Sequence, residues 1–155
     1  MKQKPAEQPV RDRLEPGALS IEGFLGHDER PLADIIAADA GEVEAEGLTV
    51  EELGSFLENL HAAADSGWEG RVPLFEGRIA VRSEETMGQI PCPFACSAHC
   101  HKAVIEVTND KEEVIFRFTP LDAHLIREHG FFEGKGSTYR TAPAELIALY
   151  RLCLA

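Results

Sequence analysis

Three of the four cysteines in this chain, Cys92, Cys96 and Cys100, fall within nine residues, and a histidine pair, His124 and His129, follows 27 residues after Cys96. Thiolate and imidazole are the donors that suit zinc, which takes four of them in a closed shell without redox chemistry. If one ion is shared, the chain must bring residues 92–96 back beside residues 124–129, and that requirement restricts the fold more than any other feature. Pro91 and Pro93 flank Cys92 and remove backbone donors, so an irregular knuckle is expected there in place of a helix. The intervening segment has the means to return. Val104, Ile105 and Val107 lead into Asn109-Asp110, and Val114, Ile115, Phe116 and Phe118 come back, a β-hairpin pattern that sets its end beside its beginning. Thr119-Pro120-Leu121-Asp122 then opens a helix that Gly130 closes. His124 and His129 stand about 140° apart on an ideal helix, so a shared ion requires the last turn before Gly130 to loosen.

The order of cysteine pair, hairpin, helix and histidine pair resembles the classical C2H2 zinc finger over about 40 of the 155 residues. The likeness implies zinc held by Cys92, Cys96, His124 and His129. The middle segment is longer than the dozen or so residues of that finger, and its basic recognition surface is absent, so no DNA-binding role comes with it. Competing ligands are present in His99 and His101, which share one side of an extended segment, and in Cys100. Cys92, Cys96 and Cys100 with Cys153 would make a four-cysteine iron–sulfur set. The thiol spacing departs from the C-x3-C-x2-C of radical-SAM enzymes, whose barrel also needs a longer chain. Without a metal, the cysteines are reduced small core residues, the role expected of Cys153 on its apolar helix. No local signature assembles a nucleophilic cysteine, a base and an oxyanion hole.

Elsewhere the pattern predicts an α+β protein. Residues 1–18, with three prolines and alternating charge, read as a flexible tail. Residues 19–70 read as a helical portion. One helix opens near Asp28–Pro31 and carries Leu32, Ile35 and Ile36. A second is capped by Thr49 with Glu52 and carries Leu53, Phe56, Leu57 and Leu60. Between them Gly41, Gly47 and the acids Glu42, Glu44 and Glu46 suggest a solvated loop, without the ligand spacing of a calcium loop. Residues 71–155 read as an α+β metal-binding portion packed with 19–70 as one domain. It comprises a first hairpin (Val72–Phe75, turn at Glu76-Gly77, Ile79–Val81), the second hairpin with its metal-clamped helix, and a C-terminal helix from about Ala142 or Pro143 carrying Leu146, Ile147, Leu149, Tyr150 and Leu152.

Charge narrows the function. The net charge is −12, and residues 1–90 hold 19 acids against 8 bases. Nucleic acid and anionic membrane are therefore poor partners, and the second acidic helix, with Glu51, Glu52, Glu58 and Asp65, would be repelled by phosphate. No apolar run nears the roughly 18–20 residues that span a bilayer, and the opening residues lack a secretory apolar core, so the cytoplasm is the expected compartment. The Gly130–Arg140 loop, with alternating glycines beside Lys135, Ser137 and Arg140, is a candidate anion site, although its order is not that of a Walker A loop. These features predict a zinc-binding protein, a metal-stabilised binding or regulatory module with a protein partner or a small anionic ligand. The alternative is a metal-dependent hydrolase with three protein ligands, one open position and a small anionic substrate held at the glycine loop.

Overall fold

The computed structural model describes residues 4–154. Four strands, β1 (Val72–Leu74), β2 (Ile79–Pro91), β3 (His99–Asn109) and β4 (Val114–Phe118), form one antiparallel sheet in sequence order. Five α-helices accompany it: α1 (Gln8–Leu14), α2 (Leu32–Ala45), α3 (Val50–Asp65), α4 (Pro120–His129) and α5 (Pro143–Leu154). The protein is thus α+β, as the pattern predicted.

Alternation decides which face of the sheet is covered. Ile79, Val81, Ala103, Ile105, Val107, Phe116 and Phe118 are buried, and together with Leu53, Leu57 and Leu60 of α3 and Leu146 and Leu149 of α5 they form the larger core. A second cluster joins Leu14, Phe24, Leu25, Leu32 and Ile35 to Leu121, Leu125, Phe131 and Cys92. Helix α4 divides the two, with Ala123 and Ile126 in the first and Leu121 and Leu125 in the second. Both of its predicted ends are present. Thr119 and Asp122 form a capping box, and Gly130 closes the helix at φ 62°, a left-handed conformation that glycine accepts without penalty. Helices α3 and α4 pack closely at Gly54, where a Cβ would lie 2.4 Å from the Cβ of Arg127 and 2.6 Å from its Cα.

Two expectations need correction, and the segment read as a tail carries local structure: Pro5–Glu7 form a 3-10 turn, α1 follows, and its last residue, Leu14, is fully buried in the second cluster. Residues 1–3 of the expected tail lie outside the described residues. Leu14, Val10 beside it and bonds from Arg11 and Arg13 to distant carbonyls dock a helix whose neighbours keep the proline-rich, charged composition of a linker. Helix α2 runs through Gly41, Glu42 and Glu44 where a loop was expected, because Val43, fully buried, continues the apolar stripe beyond the glycine. Strand β2 extends ten residues past Val81 and pairs with β3 as far as Pro91 opposite His99, with a register shift between Glu85 and Gln89. Residues 84–89 are exposed, so no hydrophobic alternation marks that extension.

Candidate metal centre

The cysteine knuckle is the loop that joins β2 to β3. Pro91 pairs with His99, the Cys92 N–H donates to the Ala98 carbonyl at 2.9 Å, and the Ala95 N–H donates to the Cys92 carbonyl at 3.0 Å. Ala95 at φ 58° and Ser97 at φ 70° take left-handed conformations, which small side chains tolerate better than bulky ones. The reversal lets the Cys92 sulfur accept from the backbone N–H groups of Phe94 and Cys96. From the knuckle, β3 travels out to Asn109 and β4 returns to Phe118, opposite Ile105. Helix α4 then rises about 1.5 Å per residue while β3 spans about 3.3 Å per residue, so ten helical residues cover much the same length as residues 99–104. His124 and His129 are thereby delivered level with the knuckle.

The donor atoms of Cys92, Cys96, His124 and His129 all lie within 4.8 Å of one another, and among the described residues this is the group placed to hold a metal ion. The Cys96 sulfur lies 3.1 Å from Nε2 of His124, and the Cys92 sulfur 3.4 Å from Nε2 of His129. A tetrahedron with metal–sulfur bonds of about 2.3 Å and metal–nitrogen bonds of about 2.0–2.1 Å has edges of roughly 3.3–3.8 Å, so the set needs small adjustments of side-chain torsion to close on an ion. The two imidazoles meet edge to face at 5.4 Å, His129 being the last residue of the helix.

Burial acts on two of the four donors, Cys92 and His129. Burial pushes the Cys92 thiol up to about 11, against the opposing pull of the Phe94 and Cys96 amides. Burial first, then the neighbouring His124, holds His129 below its ordinary value, which leaves its ring nitrogen free to ligate. A divalent ion held by Cys92 and Cys96 would replace the thiol protons, which would couple binding to proton release. The ring of Phe94 stacks on His129 at 4.3 Å and 8° and meets Phe131 edge-on at 5.7 Å, which tethers the knuckle to the helix end through apolar contact. Arg13 of α1 donates to the carbonyl of Pro93. The sequence carries no signal for that bond, since 80 residues separate the partners. Phe94, by contrast, lies inside the cysteine motif and could have been singled out as an apolar residue in a polar loop.

The competing ligands stand apart from the cluster. His99 and His101 are exposed on β3. Cys100 is half-buried against the second cluster, with its thiol pushed up by burial and then by Cys96. Cys153 is buried in the larger core, on α5, and does not join the other three, so no four-cysteine set is assembled. No family model matches the chain, and no curated protein or solved structure does either.

Of the three candidates for an anion site, the Ser137 and Arg140 side chains have partners within the fold. Arg140 pairs with the buried Asp39 carboxylate through two 2.9 Å bonds, the Ser137 hydroxyl donates to Glu133, and the Lys135 N–H donates to Asp28 at 3.2 Å. The alternating glycines allow two backbones to cross. A Cβ on Gly134 would lie 2.3 Å from the Leu25 carbonyl oxygen, and one on Gly26 would lie 2.3 Å from the Ser137 nitrogen. The loop's polar groups serve the crossing. Among the described residues no helix is long and apolar enough to cross a membrane.

Proposed function

We propose that Cys92, Cys96, His124 and His129 bind one zinc ion in a closed structural site, and that the chain is a zinc-stabilised binding or regulatory module. The convergence of four soft or borderline donors within 4.8 Å carries the reading. Two thiolates and two imidazoles supply every position of a tetrahedral shell, which leaves none for water or substrate. The ion would link the β2–β3 tip to the end of α4, beside the stacking of Phe94 on His129. The hydrolase alternative needs an open coordination position and a free cationic loop, and neither is favoured by this donor count or by the pairing of Arg140 with Asp39. A protein partner, met by the acidic helical portion, fits a module of this kind better than a small anion does.

Metal analysis of the purified protein tests the proposal. About one zinc per chain is expected. Chelation should remove stabilisation equal to RT ln(1 + [Zn]/Kd), about 4 kcal/mol at a thousandfold excess over Kd, or roughly 8–16 °C in Tm for a domain of this size. Stoichiometric iron with visible charge-transfer absorption, or a metal-free protein whose melting ignores chelator, would overturn it.

A further inference from the structure

A cavity of about 590 Å³ lies between the 17–24 segment, the outer part of the β2–β3 ribbon, the start of α4 and the 133–139 loop. Its volume falls in the range that encloses small organic ligands. The walls are largely apolar, with Leu19, Phe24, Ile90, Val104, Leu121 and Tyr139 among the lining residues, and none of the four metal-site residues borders it. It is therefore a separate site.

Its most buried polar group is Glu133, 3% exposed and held at φ 69°. Glu133 contacts the carboxyl group of Asp122, itself 2% exposed, and accepts a hydrogen bond from the Ser137 hydroxyl. Two carboxyl groups thus meet below the cavity without a lysine or arginine in ion-pair contact among the described residues. The nearest candidate, Arg140, is committed to the Asp39 carboxylate and to the main-chain carbonyl of Glu133. Burial, and then the neighbouring Asp122, raises Glu133 well above the usual carboxyl range. Of the other charged groups lining the cavity, Glu22 and Glu84 are acidic, and Lys102 is basic, with His101 beside it. Carboxyl groups outnumber the fixed positive charge. A buried carboxyl pair without a counter-ion holds its proton, and a ligand that brings one positive charge on an apolar body favours the ionised form of Glu133 while filling the cavity.

We propose that this cavity binds a small organic cation, a primary amine with an aromatic or aliphatic body, whose ammonium group pairs with Glu133 while its body rests on Leu19, Phe24 and Val104. The assignment is independent of the zinc reading, since it uses different residues and a different kind of ligand.

Calorimetric titration of the full chain, as purified, with 2-phenylethylammonium, neutral 2-phenylethanol and anionic 3-phenylpropanoate tests it. The amine should bind at least about tenfold more tightly than the alcohol, and the carboxylate should not bind. Glu133→Gln should reduce the amine to the level of the alcohol, with metal content unchanged, whereas Glu85→Gln, on the exposed stretch of β2 outside the cavity lining, should preserve the preference. If Glu133→Gln fails to fold, Leu19→Trp, which fills the cavity from the outer segment, should abolish amine binding. Failure of the parent to bind the amine, equal affinity for amine and alcohol in the parent, a preference for the amine over the alcohol that survives Glu133→Gln, or amine binding that survives Leu19→Trp would each overturn the proposal. Loss of metal in chelator with amine binding retained would affect the zinc reading alone.

Discussion

Replacing Gly54 by alanine tests whether the α3–α4 contact sets the metal geometry. The new Cβ would stand 2.4 Å from the Arg127 Cβ, 2.6 Å from its Cα and 2.7 Å from its N. Carbon atoms in contact prefer about 3.5–4.0 Å, so α4 must retreat by roughly 1 Å. Two of the three clashing atoms are backbone, which rules out relief by a rotamer change. Overpacking of this kind costs about 1–3 kcal/mol, or roughly 2–12 °C in Tm at this chain length. The same displacement carries His124 and His129 away from cysteines that remain on the β2–β3 hairpin. Metal–ligand bonds tolerate only a few tenths of an ångström, so zinc affinity should fall by at least tenfold, equivalent to about 1.4 kcal/mol. Competition with a chromophoric chelator measures the affinity, and differential scanning calorimetry with and without metal measures the stability. Gly41→Ala is the matched control. Gly41 lies inside α2, and a Cβ placed on it would meet nothing within 4 Å, so alanine there should stabilise by about 0.5–1 kcal/mol and leave zinc affinity unchanged. A folded Gly54→Ala protein with parental zinc affinity would refute the claim that this contact positions α4 for the site.

Cys96→Ser should lower zinc content far more than Cys153→Ser, because only the first thiol belongs to the cluster; equal loss in inductively coupled plasma analysis would bring Cys153 back into the ligand set. Arg140→Ala should destabilise by about 3–5 kcal/mol in urea unfolding, since Asp39, with its side chain 3% exposed, would be left buried without its partner. A change under about 1 kcal/mol would mean that the pair contributes little. Asp28 is held well below the ordinary carboxyl value, chiefly by the Arg30 side chain. Its depressed native value contributes stability above the unfolded value near 4, and that stability is lost as pH falls from there toward the native value. Asp28→Asn should therefore lower stability at pH 7 and flatten its decline below about pH 4, as followed by acid titration of Tm; an unchanged acid limb would disprove the contribution.

What could be read from residues alone was local. The capping box at Thr119 and Asp122 and the stop at Gly130 are encoded within a few positions, because caps satisfy orphan N–H and C=O groups with neighbours in the chain. The hairpin from Val104 to Phe118 is legible because its β-branched and aromatic residues suit a pleated surface and flank an Asn-Asp turn. The metal-site candidates Cys92, Cys96, His124 and His129 were legible for a related reason: a hairpin of known direction carries its end back to its start. The docking of the N-terminal segment was not legible, since Leu14 is buried in a cluster gathered from several elements and the bond from Arg13 reaches Pro93, 80 residues away, and no local pattern reports either. Tertiary structure alone chose among the histidines, turning His99 and His101 to solvent on β3 while α4 brought His124 and His129 to the knuckle. It also turned Arg140 toward Asp39 and set Glu133 against Asp122. Such pairings follow from how helices and loops stack, and the energy that selects them, the cost of burying a charge without a partner, exists only once the chain has closed around it.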